Sequence, residues 1–235
     1  MSEYIIFGGV DSRNFGVHIF DSATDNAPER TYTRYKVEGR SGDLFIDQNR
    51  FENVQHSYWG IIYENYEENL RNFRSAMRSK IGYQRLEDSM HTDEYYDAVF
   101  IENMEVKTEM GRNMGKFEII FDRKPQRWLK SGDTVIALTS SGAITNPTLF
   151  QSNPLLRVYG TGKIYLGDYG ITISAADTYT DIDCFTQEAY KGSASKNANV
   201  TFHGTGKPFL KAGSNSISLP NTVSRIEITP RWYMI

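Results

Sequence analysis

The sequence predicts a mainly β protein in two parts, the first carrying one α-helix and the second built from strands alone. Three patterns lead to this. In 66–79 the apolar residues fall at Tyr66, Leu70, Phe73 and Met77, spaced as one face of a helix. Glu67, Glu68, Asn69, Arg71, Asn72, Arg74 and Arg78 occupy the other faces. Residues 98–107 and 116–122 read as two strands flanking the turn Gly111-Arg112-Asn113-Met114-Gly115, with Phe117, Ile119 and Phe121 alternating against Lys116, Glu118 and Asp122. From residue 155 onward, short apolar segments recur at roughly ten-residue spacing with turn residues between them, as in an antiparallel sandwich or jelly roll.

Taken in order, Tyr4–Phe7 is a strand ended by Gly8-Gly9, and 21–31 is a polar, turn-rich loop. Arg34–Glu38 alternates, with Tyr35 and Val37 on one face, before the turn Gly39-Arg40-Ser41-Gly42-Asp43 and the apolar Leu44-Phe45-Ile46. Residues 51–63 are strand-like in composition. The helix, about 66–80, has acidic residues in its first turn, Arg78 and Lys80 near its last, and Gly82 as its stop, which suits the macrodipole. Such a helix covers one face of a sheet. Pro125 ends the second hairpin strand. The texture changes over 129–148, giving a division at 1–135 and 136–235. The last strand, about 225–235, either stays in the second part or returns to the first. That second part holds strands at Leu155–Tyr159, Lys163–Leu166, Ile171–Ser174, Asp181–Phe185, Asn199–Phe202, Asn215–Leu219 and Arg225–Thr229.

Composition narrows the functional classes. A formal net charge of −3 over 235 residues gives no broad attraction to nucleic acid or an anionic membrane. Aromatic residues at 13%, including 15 Tyr, favour sheets and interfacial surfaces. One cysteine, Cys184, excludes an internal disulfide. No basic start with an apolar run marks a signal peptide, and no apolar run reaches the ~18 residues of a membrane span, so a soluble protein of a reducing compartment is expected.

The search for chemistry yields no catalytic, cofactor or metal residues. His91, Asp93, Glu94 and Asp97 form the densest cluster of titratable groups, in a segment expected to be a polar connection; a solvated loop or a cation site are the two readings. His18, His56 and His203 lie alone. Gly160-Thr161-Gly162 has no third glycine and precedes a strand, so it is not a dinucleotide fingerprint. No nucleophile elbow or phosphate loop occurs. Cys184 sits in an apolar pattern as a small core residue. Asn199-Val200-Thr201 fits a glycosylation acceptor but comes without a secretory signal. Arg71, Arg74 and Arg78 recur at helical spacing, either as a solvated flank or as an interface stripe.

Several segments together resemble the distal tail proteins (Dit-like baseplate hubs) of long-tailed, non-contractile bacteriophages. The resemblance is carried by Gly82-Tyr83-Gln84-Arg85-Leu86-Glu87-Asp88 with His91-Thr92-Asp93-Glu94-Tyr95 behind the helix, and by Phe117–Phe121 running into Lys124-Pro125-Gln126-Arg127-Trp128-Leu129. Gly39–Leu44 resembles an early glycine-arginine turn of that family. Asn146-Pro147-Thr148, Ser152–Leu155, Val158–Gly162, Gly213–Ile217 and Ile226–Tyr233 continue the match in order.

The resemblance implies an N-terminal β-sandwich-like, ring-forming domain with one helix and a C-terminal galectin-like or carbohydrate-module-like β-sandwich. It implies a non-enzymatic hexameric ring between the tail-tube protein and the tail-tip proteins, with receptor-binding proteins at its rim and DNA passing through the lumen without specific binding. The expected location is the virion tail tip, after synthesis in the host cytoplasm. The second part has no Trp over 140–225, although Tyr159, Tyr165, Tyr169, Tyr179 and Tyr190 are available. It reads as a spacer or attachment point; a module binding host cell-wall saccharide is the alternative.

Overall fold

The computed structural model describes residues 3–22, 26–101, 104, 106–109 and 114–235. The chain divides into two compact units, 1–127 with Ile235 and 128–234. It is mainly β, with a single α-helix among the described residues.

The first unit contains β1 (Ile5–Phe7), β2 (Val10–Asp11), β3 (Val17–Ser22), β4 (Arg30–Tyr35), β5 (Leu44–Phe51), β6 (Val54–Ile62), α1 (Tyr66–Arg78), β7 (Gln84–Asp88), β8 (Glu94–Phe100), β9 (Val106–Glu109) and most of β10 (Met114–Leu129). Its main sheet runs β2-β1-β7-β8-β10-β6-β3, with β9 also pairing β10. Glu3, just before β1, bridges to Ile19 on β3 at the far edge, so the sheet curls until its ends approach. Strand alternation sends Phe117, Ile119 and Phe121 of β10 and Tyr58 and Ile62 of β6 inward. The helix covers this side: Leu70, Phe73 and Met77 are buried in the same core, and the Phe73 ring lies 6.3 Å from that of Phe117. At Gly115 an added Cβ would lie 2.0 Å from a Tyr66 ring carbon, so the glycine lets the helix begin directly against β10. Inside, the Tyr58 hydroxyl donates to Asp88 Oδ2 at 2.8 Å. Burial holds the phenol pKa well above its ordinary value, which keeps that donor protonated.

The second unit is an antiparallel sandwich of β11 (Ile136–Leu138), β12 (Gly142–Asn146), β13 (Leu155–Gly160), β14 (Gly162–Leu166), β15 (Tyr169–Ile173), β16 (Thr180–Asp183), β17 (Glu188–Lys191), β18 (Ala194–Ser195), β19 (Val200–His203), β20 (Gly213–Ser218) and β21 (Val223–Thr229), while β22 (Tyr233–Met234) belongs to neither of its sheets and pairs β10. Two sheets, β11-β21-β13-β16-β17-β18 and β12-β20-β14-β15-β19, bury Leu156, Val158, Ile182, Ile226 and Ile228 against Ile144, Ile164, Ile171 and Ile217. Each such side chain contributes about 1.5–3 kcal/mol on burial. On the outer face of the first sheet, Arg157 pairs bidentately with Asp181 at 2.6 and 3.0 Å, and Arg231 with Asp183 at 3.1 and 3.0 Å.

Several strand limits depart from the sequence reading. Pro125 does not end its strand, because β10 continues to Leu129; the ladder with β6 stops at Arg123↔Val54, so the missing N–H removes no bond from it. The first ribbon strand begins at Arg30, inside the expected loop 21–31, and its partner runs on to Phe51. Residues 98–107 are not one strand: β8 starts earlier, at Glu94, and Val106 opens β9. The turn at Gly111–Asn113 lies outside the described residues. Asp181–Phe185 shortens to Thr180–Asp183, because the Asp183 side chain accepts from the Phe185 N–H and turns the chain.

Phe73→Ala is expected to cost about 3–5 kcal/mol in urea unfolding, since its ring is completely enclosed. Burial pushes the Asp183 carboxyl up, but hydrogen bonds from Arg231 and the Phe185 N–H outweigh it, so its pKa is lowered. A lowered carboxylate pKa gives stability that is complete above the unfolded value, about 3.9, and lost as pH falls through the folded one. Acid titration of stability should therefore be shallower in Asp183→Asn than in the parent below about pH 4.

Candidate functional site

The titratable cluster predicted around His91 does not converge. The Glu94 carboxylate pairs with Arg127 at 3.1 Å, Asp97 with Lys124 at 3.2 Å, and His91 Nδ1 with Asp88 at 3.1 Å, while Asp93 is exposed. Glu94 and Asp97 lie on β8 and not in a loop, which is why each meets a different cation of the neighbouring β10. Among the described residues no group of three or more His, Cys, Asp or Glu could hold a metal ion. His18 lies against the Tyr63 ring, His56 is buried against Tyr58, and His203 shares a hydrogen bond with Thr172. Cys184 is enclosed, and burial raises its thiol pKa far above the range where a thiolate forms.

What the structure does present is an uncovered ribbon. β4 and β5 pair only with each other, in a two-stranded sheet of their own. The register sets Tyr32 opposite Asp47, Thr33 opposite Ile46, Arg34 opposite Phe45 and Tyr35 opposite Leu44. One face therefore carries Tyr32, Arg34, Phe45 and Asp47, and the other carries Thr33, Tyr35, Leu44 and Ile46. On the first face the Tyr32 and Phe45 rings meet edge-on at 6.1 Å, the Arg34 guanidinium lies 5.0 Å from the Phe45 centroid, and Arg30 pairs with Asp47. The hydrogen bond from Arg30 lowers the Asp47 pKa, so that pair is charged at neutral pH.

Tyr32, Tyr35, Leu44, Phe45 and Ile46 are 45–52% exposed. An isolated two-stranded ribbon is marginal in water, and exposed apolar patches of this kind are found at interaction surfaces. The sequence held the signal in the alternation of Tyr35 and Val37 and the run Leu44-Phe45-Ile46. It did not show that these side chains would stay about half exposed once the chain is folded.

A helix-bearing curled sheet followed by an antiparallel sandwich is the fold of the Dit-like hub proteins of phage baseplates. In particular, the chain is similar to the crystal structure of the SPP1 Dit protein, described as a paradigm of the hub adsorption apparatus in phages infecting Gram-positive hosts. The TM-score is 0.76 at 10% identity, covering 100% of both chains. It is also similar to a chain of the phage P2 baseplate in its activated conformation with Ca, with a TM-score of 0.50 at 12% identity over 95% of this chain and 100% of that one. No family model matches the sequence, and no curated protein matches it.

Because Phe45 is half exposed on a two-stranded ribbon, Phe45→Ser is expected to shift the unfolding free energy of the monomer by no more than about 0.5 kcal/mol. Chemical denaturation in dilute solution checks this.

Proposed function

We propose that this chain is a structural virion protein, the distal tail hub. In this reading six copies close into a ring that joins the tail tube to the tail-tip, baseplate and host-recognition proteins. The fold likeness supports the hub role, and the observation that carries the assembly is the ribbon, whose exposed aromatic and aliphatic side chains need a neighbour. A closed ring of identical subunits uses one head-to-tail interface with two different patches per copy, and the ribbon supplies one of them. The first unit then forms the ring, and the second acts as spacer or attachment point for partner proteins. A net charge of −3 suits a lumen through which DNA moves without sticking. The protein works by assembly and not by catalysis, at the tail tip of the virion, after synthesis in the host cytoplasm.

The saccharide-binding alternative has less support. Of the tyrosines on the second unit's outer sheet face, Tyr179 carries the Arg157 guanidinium at 4.3 Å and Tyr159 has Arg225 at 5.7 Å, so these ring faces are partly taken by cations.

Light scattering on the purified protein should give about six times the 26.9 kDa chain mass. The double substitution Phe45→Asp with Ile46→Asp should reduce it to one chain while leaving the circular dichroism spectrum unchanged. A parent protein that stays single at high concentration would sink the ring.

A further inference from the structure

The β10–β6–β3 end of the main sheet has an outer face as well as the inner one that α1 covers. Strand alternation points Lys116, Glu118 and Ile120 of β10 outward, opposite Ile61, Trp59 and Ser57 of β6, with His18 of β3 beyond Ile61. The residues between them, Phe117, Ile119, Tyr58 and Ile62, are buried in the core, and Trp59, Ile61 and Ile120 take no part in it. Two further rings border this face and are about half exposed, Phe20 at 46% and Tyr63 at 55%. Tyr63 lies 5.8 Å from the His18 ring, and Lys116 Nζ lies 5.2 Å from the Phe20 centroid. The patch is therefore largely apolar and aromatic. Glu118 stands in its middle, opposite Trp59 and two positions from Ile120.

In a single chain this patch and the ribbon both keep exposed apolar side chains, so neither covers the other. A closed ring needs a second patch, different from the ribbon and carried by the same chain. Charge favours this one. In the ribbon Arg30, Arg34, Lys36, Arg40 and Arg50 outnumber Glu38, Asp43 and Asp47, whereas the whole chain carries −3. Arg34 lies beside the Phe45 ring without a carboxylate partner, and Glu118 has no cationic partner among the described residues. A half-buried carboxylate among apolar side chains gains most from a guanidinium that arrives with apolar surroundings of its own. The dimensions agree as well. Each face is two strands wide, about 4.8 Å apart, with side chains repeating at about 6.6 Å, so the two can interleave as packed sheets do.

Resting on the ring reading, we propose that this outer face seats the β4–β5 ribbon of a second copy of the chain. Arg34 of one copy pairs with Glu118 of the next, and the Tyr32 and Phe45 rings lie over Trp59, Ile61 and Ile120. The ribbon is then the donor patch of the head-to-tail joint and the outer face of β10, β6 and β3 is the acceptor patch. Because both belong to one chain, every copy gives a ribbon on one side and receives one on the other.

The test measures assembly mass against concentration for the full chain. Arg34→Glu and Glu118→Arg, each alone, set like charges opposite one another at every joint, and each is expected to raise the concentration of half-assembly about tenfold. Mixed in equal amounts, the two single variants are expected to assemble again, because copies alternating around a ring of six meet an opposite charge at every joint. The variant carrying both reversals should assemble near the parent's concentration. Should a reversal cost the circular dichroism spectrum, Arg34→Gln and Glu118→Gln take its place: each weakens assembly, and the two together weaken it no more than one does. An assembly mass unchanged by Glu118→Arg, losses in both single variants without recovery on mixing, or neutral variants whose effects add would each overturn the inference. In those cases the parent's ring stands and only the seat of the ribbon is wrong. A parent that stays single sinks the ring and this seat together.

Discussion

An apolar sheet face must be covered, and the arrangement of this molecule follows from how each face meets that requirement. In the first unit the curled sheet closes largely on itself and α1 supplies the remaining cover, with Phe73 filling the space under Phe117 and Phe15. In the second unit two sheets cover one another, so Leu156 and Ile228 are fully enclosed without any helix. The β4–β5 ribbon has neither solution. Two strands are too narrow to fold over, and no helix among the described residues returns to them.

That leftover requirement links stability to assembly. The cores of the two units are satisfied within the chain, so the monomer can fold before it meets a neighbour. The ribbon's aromatic side chains are partly steadied by Arg34 and by the Arg30–Asp47 pair, which hold one face in a defined arrangement. A preorganised surface loses less entropy on docking than a loose one.

Buried polar pairs in both units show the same economy. Tyr58 and Asp88 satisfy each other inside the first core, and the Asp88 carboxylate also accepts from the N–H groups of Met90 and His91 to fix the turn between β7 and β8. In the second unit Arg231 ties the C-terminal segment to the end of β16 through Asp183. These groups resemble chemistry when met as letters. In three dimensions each is engaged in holding a turn or a strand end.

Local pattern was enough to determine a good deal. The spacing of Tyr66, Leu70, Phe73 and Met77 specified a helix and its buried face, because a 3.6-residue period needs no distant contact to be read. Alternation around Leu156, Ile164 and Ile217 specified a strand-built second half for the same reason. Strand ends were less legible: whether Pro125 stops β10 depends on which neighbour's ladder it faces, and that is decided across the sheet. The titratable residues near His91 looked like a cluster because they are close in sequence, yet strand geometry sends Glu94 and Asp97 to separate cations. Which apolar and charged residues remain without a partner is a property of the completed packing. Only the tertiary structure could therefore decide that Phe45 and Ile46 stay about half exposed while Phe73 is fully enclosed.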